Sequence, residues 1–183
     1  NLLGRVFMKP MDCPFRTGKR AVEALREQTP VVLVDIHAEA TSEKIAMGWF
    51  LDGQVTAVFG THTHVPTADH QILAGGTAYM SDASMTGDYD SVIGMQKGPA
   101  MLRFIRKMPG EKLTPAEGPA TLCAVFVETD DKTGLAKRIA PVRVGDTVYL
   151  CQHGPFLAVD AKTGKQLYKE NVSKGFHWAN MVV

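Results

Sequence analysis

Residues 31–64 read VVLVDIHAEATSEKIAMGWFLDGQVTAVFGTHTH, and this stretch decides the fold class. Val31 to Asp35 is a short continuous apolar run, the pattern of a strand buried on both faces. Thr41 or Ser42 then caps a helix with Glu43 in its first turn, and Ile45, Met47, Trp49, Phe50 and Leu51 supply its apolar side chains up to Gly53. Trp49 and Phe50 fall at positions expected to pack in the core. A second buried strand is expected at Val55 to Phe59. Strand, helix, strand at this spacing is the pattern of an α/β fold.

Working outward, Thr17 to Gln28 carries Ala21 and Leu25 among charged residues at helical spacing, and the helix is expected to end before Pro30. A third strand is expected at Thr77 to Ser81 and a further helix near Gly98 to Lys107. Past Pro109, Pro, Glu and Gly cluster up to Pro119. Strands are then expected at Ala120 to Glu128 and Ala136 to Val142, joined by the turn Asp130-Asp131-Lys132-Thr133-Gly134. Thr147 to Cys151, Phe156 to Asp160 and Gln166 to Lys169 read as three more strands, with a turn over Ala161 to Lys165. The C-terminal third is therefore expected to be wholly β.

Composition narrows the function. The 183 residues carry 20 Lys and Arg against 19 Asp and Glu, a net charge of +1, so no surface is built to neutralise a nucleic-acid backbone. The apolar runs are far shorter than the roughly 20 residues of a membrane span. Cys13, Cys123 and Cys151 are widely separated and lack CxxC spacing, which fits reduced thiols and a cytoplasmic setting. Cys13, between Pro10 and Pro14, reads as a buried loop thiol. The chain opens at Asn1 without a Met and reads as the middle of something longer.

The chemistry concentrates in the two strand ends. Asp35 and His37, two apart on a strand, point to one face. His62 and His64 follow the next strand directly, and Gly60 at the entrance is expected to let the backbone turn so that both imidazoles reach one point. Ligands in open α/β sheets collect at such carboxyl ends. Three imidazoles there suit Fe, Mn, Zn or Ni and not Mg or Ca. The alternative is that each histidine merely hydrogen-bonds its loop. Ser81, Ser84 and Thr86, around Asp82 and Gly87, are candidates to line a phosphate pocket.

Four segments carry a resemblance: NLLGRVFMKPMDCPFR (1–16), VVLVDIHAEATSEKIAMGWFLDGQVTAVFGTHTHVPTAD (31–69), GTAYMSDASMTGDYDSVIGM (76–95) and ATLCAVFVETDDKTGLAKRI (120–139). Residues 1–144 resemble the C-terminal half of the YmdB-like metallophosphoesterases, calcineurin-like phosphodiesterases of 2′,3′- and 3′,5′-cyclic nucleotides. The resemblance implies part of a layered αββα sandwich and a binuclear centre, Fe or Mn, that polarises the phosphate and supplies the attacking hydroxide in line. Carried over by motif, His37 and His62 would hold one metal and His64 the other. Asp35, Glu39 and Asp69 are candidates to hydrogen-bond the imidazoles and set their tautomers.

The family's GDIVG-like, GEN-like and GNH-like ligand loops, its bridging carboxylate and its leaving-group histidine do not occur in these residues; His70 and His153 match no motif. The expectation is a chain inactive by itself, completed by a missing N-terminal half or by association with another copy. A rival reading is a non-catalytic binding or structural module completed by a partner chain. Residues 145–183 form a separate β-rich segment resembling one blade of a pyrroloquinoline-quinone dehydrogenase type of propeller, with Tyr168 where that repeat has Trp. A single blade cannot close a ring, so a small antiparallel appendage is expected. A sheet cut in this way should expose an apolar edge.

Overall fold

The computed structural model describes the backbone at residues 1–107, 110–145, 147–151, 156–160 and 166–170, and side chains as far as residue 145. Its elements are, in chain order, β1 (Leu2–Leu3), α1 (Pro14–Arg26), β2 (Leu33–His37), α2 (Thr41–Phe50), β3 (Ala57–Thr61), β4 (Gln71–Ile72), β5 (Ala78–Met80), β6 (Gly87–Asp88), α3 (Lys97–Arg106), β7 (Ala120–Thr129), β8 (Ala136–Gly145), β9 (Thr147–Cys151), β10 (Phe156–Asp160) and β11 (Gln166–Glu170). Helix α1 starts three residues before the expected Thr17, because Pro14 takes the first helical turn, where its missing N–H costs nothing.

The first sheet has the order β1-β2-β3-β5-β4; β1, β2, β3 and β5 run parallel and β4 antiparallel. Val22 from α1, Met47 from α2 and Leu51 at the C-cap of α2 cover one face of this sheet, meeting Val34, Ile36, Val58 and Tyr79 in a single apolar cluster. The second sheet, β6-β7-β8, and the third, β11-β10-β9, are antiparallel. The fold is thus α/β, a parallel sheet joined to antiparallel ones. The turn at Asp130 to Gly134 forms as expected, with Asp130 Oδ1 accepting from the Lys132 and Thr133 amides at 2.9 and 3.0 Å. Thr56 and Gly76 tie this turn to the first sheet: the Thr56 hydroxyl donates to the Gly134 carbonyl and the Ala136 amide to that of Gly76.

Several local expectations are corrected. Strand β2 is not buried on both faces: Leu33 is exposed, Val34 and Ile36 are buried, and Asp35 and His37 are intermediate. Residues of α1 and α2 pack on the Val34–Ile36 side. On α2, Trp49 is 56% exposed and Phe50 is exposed beside it, while Glu43 and Lys44 are buried. A short helix read by apolar content alone has its buried face misplaced when two of its charges find partners inside. Ala40, not Thr41 or Ser42, caps α2, and no side chain caps it. Cys13 is half-buried at the N-cap of α1. Strands β1, β4 and β6, two residues each, were too short to read from the sequence. The turn at 161–165, His153 and residues 171–183 lie outside the described residues.

Candidate metal centre

Because the parallel ladder pairs His37 with Thr61, the two strand ends lie side by side. Alternation sends Val34 and Ile36 into the core, so Asp35 and His37 share the other face. The Thr61 hydroxyl donates to Asp35 Oδ1 at 2.8 Å. Its oxygen therefore accepts from His37 Nδ1, 3.1 Å away, which leaves His37 Nε2 with its lone pair. Asn1 Nδ2 donates to the other Asp35 oxygen at 2.7 Å. Burial pushes the Asp35 carboxyl above its ordinary value, with the Thr61 hydrogen bond opposing that rise.

His62 completes the arrangement. Its Nδ1 lies 3.1 Å from His37 Nε2, with the two rings edge to face, centroids 4.9 Å apart. Its Nε2 lies 2.7 Å from Glu39 Oε2. With Nε2–H donating to Glu39, His62 Nδ1 carries a lone pair that faces the lone pair of His37. Two such lone pairs repel unless a proton or a cation stands between them. A separation of 3.1 Å is one that two nitrogens, each about 2.1 Å from a shared ion, adopt. The donor set is imidazole with a carboxylate behind each ring, which fits a transition metal.

His64 stands differently. Its Nδ1–H donates to the Ile93 carbonyl at 2.9 Å, turning Nε2 into the acceptor position. Among the described residues, no group of three or more His, Cys, Asp or Glu is gathered closely enough to hold a metal ion. So His37 and His62 are brought together, and His64 is not brought to them. Of the three carboxylates expected beside imidazoles, Asp35 acts on His37 through Thr61 and Glu39 touches His62. Asp69 instead accepts from the Ser81 amide at 3.1 Å and from the Ser81 hydroxyl.

The expected phosphate-lining hydroxyls are likewise committed to protein partners. Ser81 is buried against Asp69 and Tyr79, Ser84 contacts Tyr89 and the His64 carbonyl, and Thr86 faces the Cys123 carbonyl. Gly60 also serves another purpose than the one expected. Its φ is not in the left-handed region; that conformation falls on His62 (φ 114°) and His64 (φ 63°) themselves. A Cβ at Gly60 would stand 1.9 Å from the Ser81 carbonyl oxygen, so glycine is required there by close approach. Non-glycine residues in this region persist only where neighbours hold them, and they cluster at functional sites.

Sequence reasoning missed Thr61, because a strand register is needed to place it beside His37. It also missed Lys44 and Asp82, which form an ion pair of 2.7 Å with both side chains 1% exposed. The Asp82 carboxylate further accepts from the Thr63 amide at 3.0 Å and from the Ser84 amide at 2.8 Å.

Comparison with known proteins supplies the lineage. The YmdB-like protein family matches residues 1–142. The chain is 45% identical over 146 residues to the 2′,3′-cyclic-nucleotide 2′-phosphodiesterase of Bacillus subtilis (strain 168), covering 80% of this chain and 55% of that protein. The crystal structure of a novel phosphatase from Mycoplasma pneumoniae superimposes with a TM-score of 0.69 at 36% identity, over 78% of this chain and 51% of that one. A separate match, 32% identical over 75 residues, is to a probable quinate dehydrogenase (quinone) of Xanthomonas campestris pv. juglandis; it covers 40% of this chain and 9% of that protein. The chain spans about half the length of the phosphodiesterase and phosphatase relatives. No helix among the described residues is long and apolar enough to cross a membrane. Matched in sequence over residues 1–142 and alike in fold, the chain belongs to the YmdB-like protein family, whose named relatives are phosphodiesterases and phosphatases.

Proposed function

We propose that residues 1–144 supply one part of the metal centre of a cytoplasmic cyclic-nucleotide phosphodiesterase of the 2′,3′ type, with the 3′,5′ type as the alternative substrate. His37 and His62 hold one ion, Fe or Mn, and His64 belongs to a second. The observation that carries this reading is the pair of imidazole nitrogens 3.1 Å apart, one of them kept unprotonated by the Thr61 hydroxyl. The bound metal would supply Lewis acidity toward a phosphodiester. What this chain does is hold its imidazoles: Asp35 and Thr61 set the tautomer of His37, and Glu39 orients His62. The donors of the remaining motifs are not among these 183 residues. The chain by itself therefore binds metal incompletely and does not turn over, and a second segment or copy completes the site. Residues 145–183 are read as a β-rich appendage, separate from the centre.

The test is elemental analysis of the purified chain, with hydrolysis of bis-p-nitrophenyl phosphate in added Mn²⁺ for the wild type and His62→Ala. Less than one metal per chain, lowered further in the variant, without turnover, supports the proposal. Two metals per chain with activity lost in the variant would show that the centre is already complete. No metal in either protein would favour a non-catalytic module.

A further inference from the structure

Two neighbouring residues on α2 carry opposite charges into the protein. Glu43 accepts from the Arg5 and Val6 amides, at 3.1 to 3.2 Å, and so holds the loop after β1. Lys44 reaches the other way, to Asp82. We propose that the Lys44–Asp82 pair is a positioning device for the histidine loop, acting through the backbone amide of Thr63 on His62 and His64; this rests on the metal reading above.

The argument begins with what Asp82 holds. Thr63 stands between two residues of positive φ, and its N–H goes to Asp82 Oδ2, the oxygen that also takes the Lys44 ammonium. Asp82 Oδ1 takes the amide of Ser84, itself at φ 82°, and the Ser84 hydroxyl donates to the His64 carbonyl at 3.0 Å. Asp82 is anchored in turn: its amide donates to the Thr67 hydroxyl at 2.9 Å and its carbonyl accepts the Thr67 amide at 3.2 Å. One carboxylate thus pins the loop directly between the two histidines and, by holding Ser84, fixes the hydroxyl that meets the carbonyl of the second.

Stability alone does not call for this pair, since a buried ion pair replaced by apolar residues of similar size is often neutral or better. An apolar pair, however, has no acceptors for the two amides, whereas an ionised carboxylate offers about four lone-pair sites. The Lys44 ammonium keeps that carboxylate charged in the interior. Lys44 and Asp82 are therefore positioning residues, and the histidines they steer are the ligands.

The variants are Lys44→Met with Asp82→Leu, and Lys44→Met with Asp82→Asn, made in the 183-residue chain. Three quantities are read: calorimetric Zn²⁺ affinity, hydrogen exchange of the Thr63 amide, and the imidazole nitrogen NMR signals of His62 and His64 without metal. Expected are faster exchange at Thr63, shifted signals for both histidines, and a Zn²⁺ affinity lower by about tenfold to hundredfold, in proteins that still melt cooperatively. The Asn variant, keeping one acceptor oxygen, should fall between the wild type and the Leu variant and serves if the latter does not fold. Unmoved histidine signals and unchanged Zn²⁺ affinity in a folded variant with faster Thr63 exchange would overturn the proposal. A wild type that binds no Zn²⁺ would instead count against the metal reading, and the NMR signals would still decide the positioning.

Discussion

Gly60→Ala is the most searching test of how the two strand ends meet. The added Cβ would lie 1.9 Å from the Ser81 carbonyl oxygen, 2.9 Å from its carbon and 2.6 Å from Lys44 Cδ, where real contacts do not fall below 3.0 Å. The lysine chain can bend aside; the Ser81 backbone cannot, and the gap must open by about 1.1 Å. On the same stretch the Ala83 amide donates to the Gly60 carbonyl at 2.8 Å, and an opening of that size takes the bond out of range. Overpacking of this kind costs about 1–3 kcal/mol and a lost backbone hydrogen bond about 1 kcal/mol. The reduced freedom of the unfolded chain returns up to about 1 kcal/mol, leaving a net loss of about 1–4 kcal/mol. For a chain of this length each kcal/mol moves Tm by about 2–4 °C, so the melt followed by circular dichroism should fall by about 2–16 °C. Gly87→Ala is the control, since its Cβ meets nothing within 4 Å and should cost about 0.5 kcal/mol or less. A Gly60→Ala melt indistinguishable from that of Gly87→Ala would refute the close approach.

Leu51→Ala removes a fully buried side chain under α2 and should cost about 2–5 kcal/mol in urea unfolding; a loss below 1 kcal/mol would mean that the core closes over the gap. Thr61→Val keeps the shape but deletes the hydroxyl between Asp35 and His37, and metal affinity measured by titration should drop about tenfold or more. Equal affinity would show that His37 needs no such partner. Asp82 gives a pH dependence. Burial raises its carboxyl, but the Lys44 ammonium and the Thr63 and Ser84 amides outweigh this and hold it below the ordinary 3.8. The stability it contributes is therefore complete above the unfolded value and is lost as pH falls below 3.8 toward the depressed one. Acid unfolding of a Lys44→Met, Asp82→Leu protein should be less steep in that window, and an identical acid profile would contradict the shift.

Much of this molecule was legible from local pattern. The two strands expected at Val31–Asp35 and Val55–Phe59 exist, each two residues further on at Leu33–His37 and Ala57–Thr61. These, the turn at Asp130 to Gly134 and the long hairpin it joins needed no tertiary knowledge, because apolar runs and turn residues act within a few positions. The histidines at the strand ends were legible for the same reason. The errors lay where a residue's role depends on a distant chain segment. Trp49 and Phe50 read as core and are exposed, because the side of α2 turned inward is set partly by Glu43 and Lys44 meeting the loop after β1 and Asp82. Asp69 read as a histidine partner and serves Ser81, twelve positions on.

The sequence by itself determined that strands alternate with helices, that imidazoles stand at two strand ends, and which family the segments resemble. Only the tertiary structure decided that Thr61 lies beside His37, that His62 faces His37 and Glu39 while His64 turns to Ile93, and that Gly60 is glycine because the Ser81 backbone crosses it. The physical reason is that periodicity is a property of neighbouring residues. A strand register, a tautomer and the distance between two loops arise only when non-local segments pack, and they are held there by bonds such as those of Asp82 that span nineteen and thirty-eight positions.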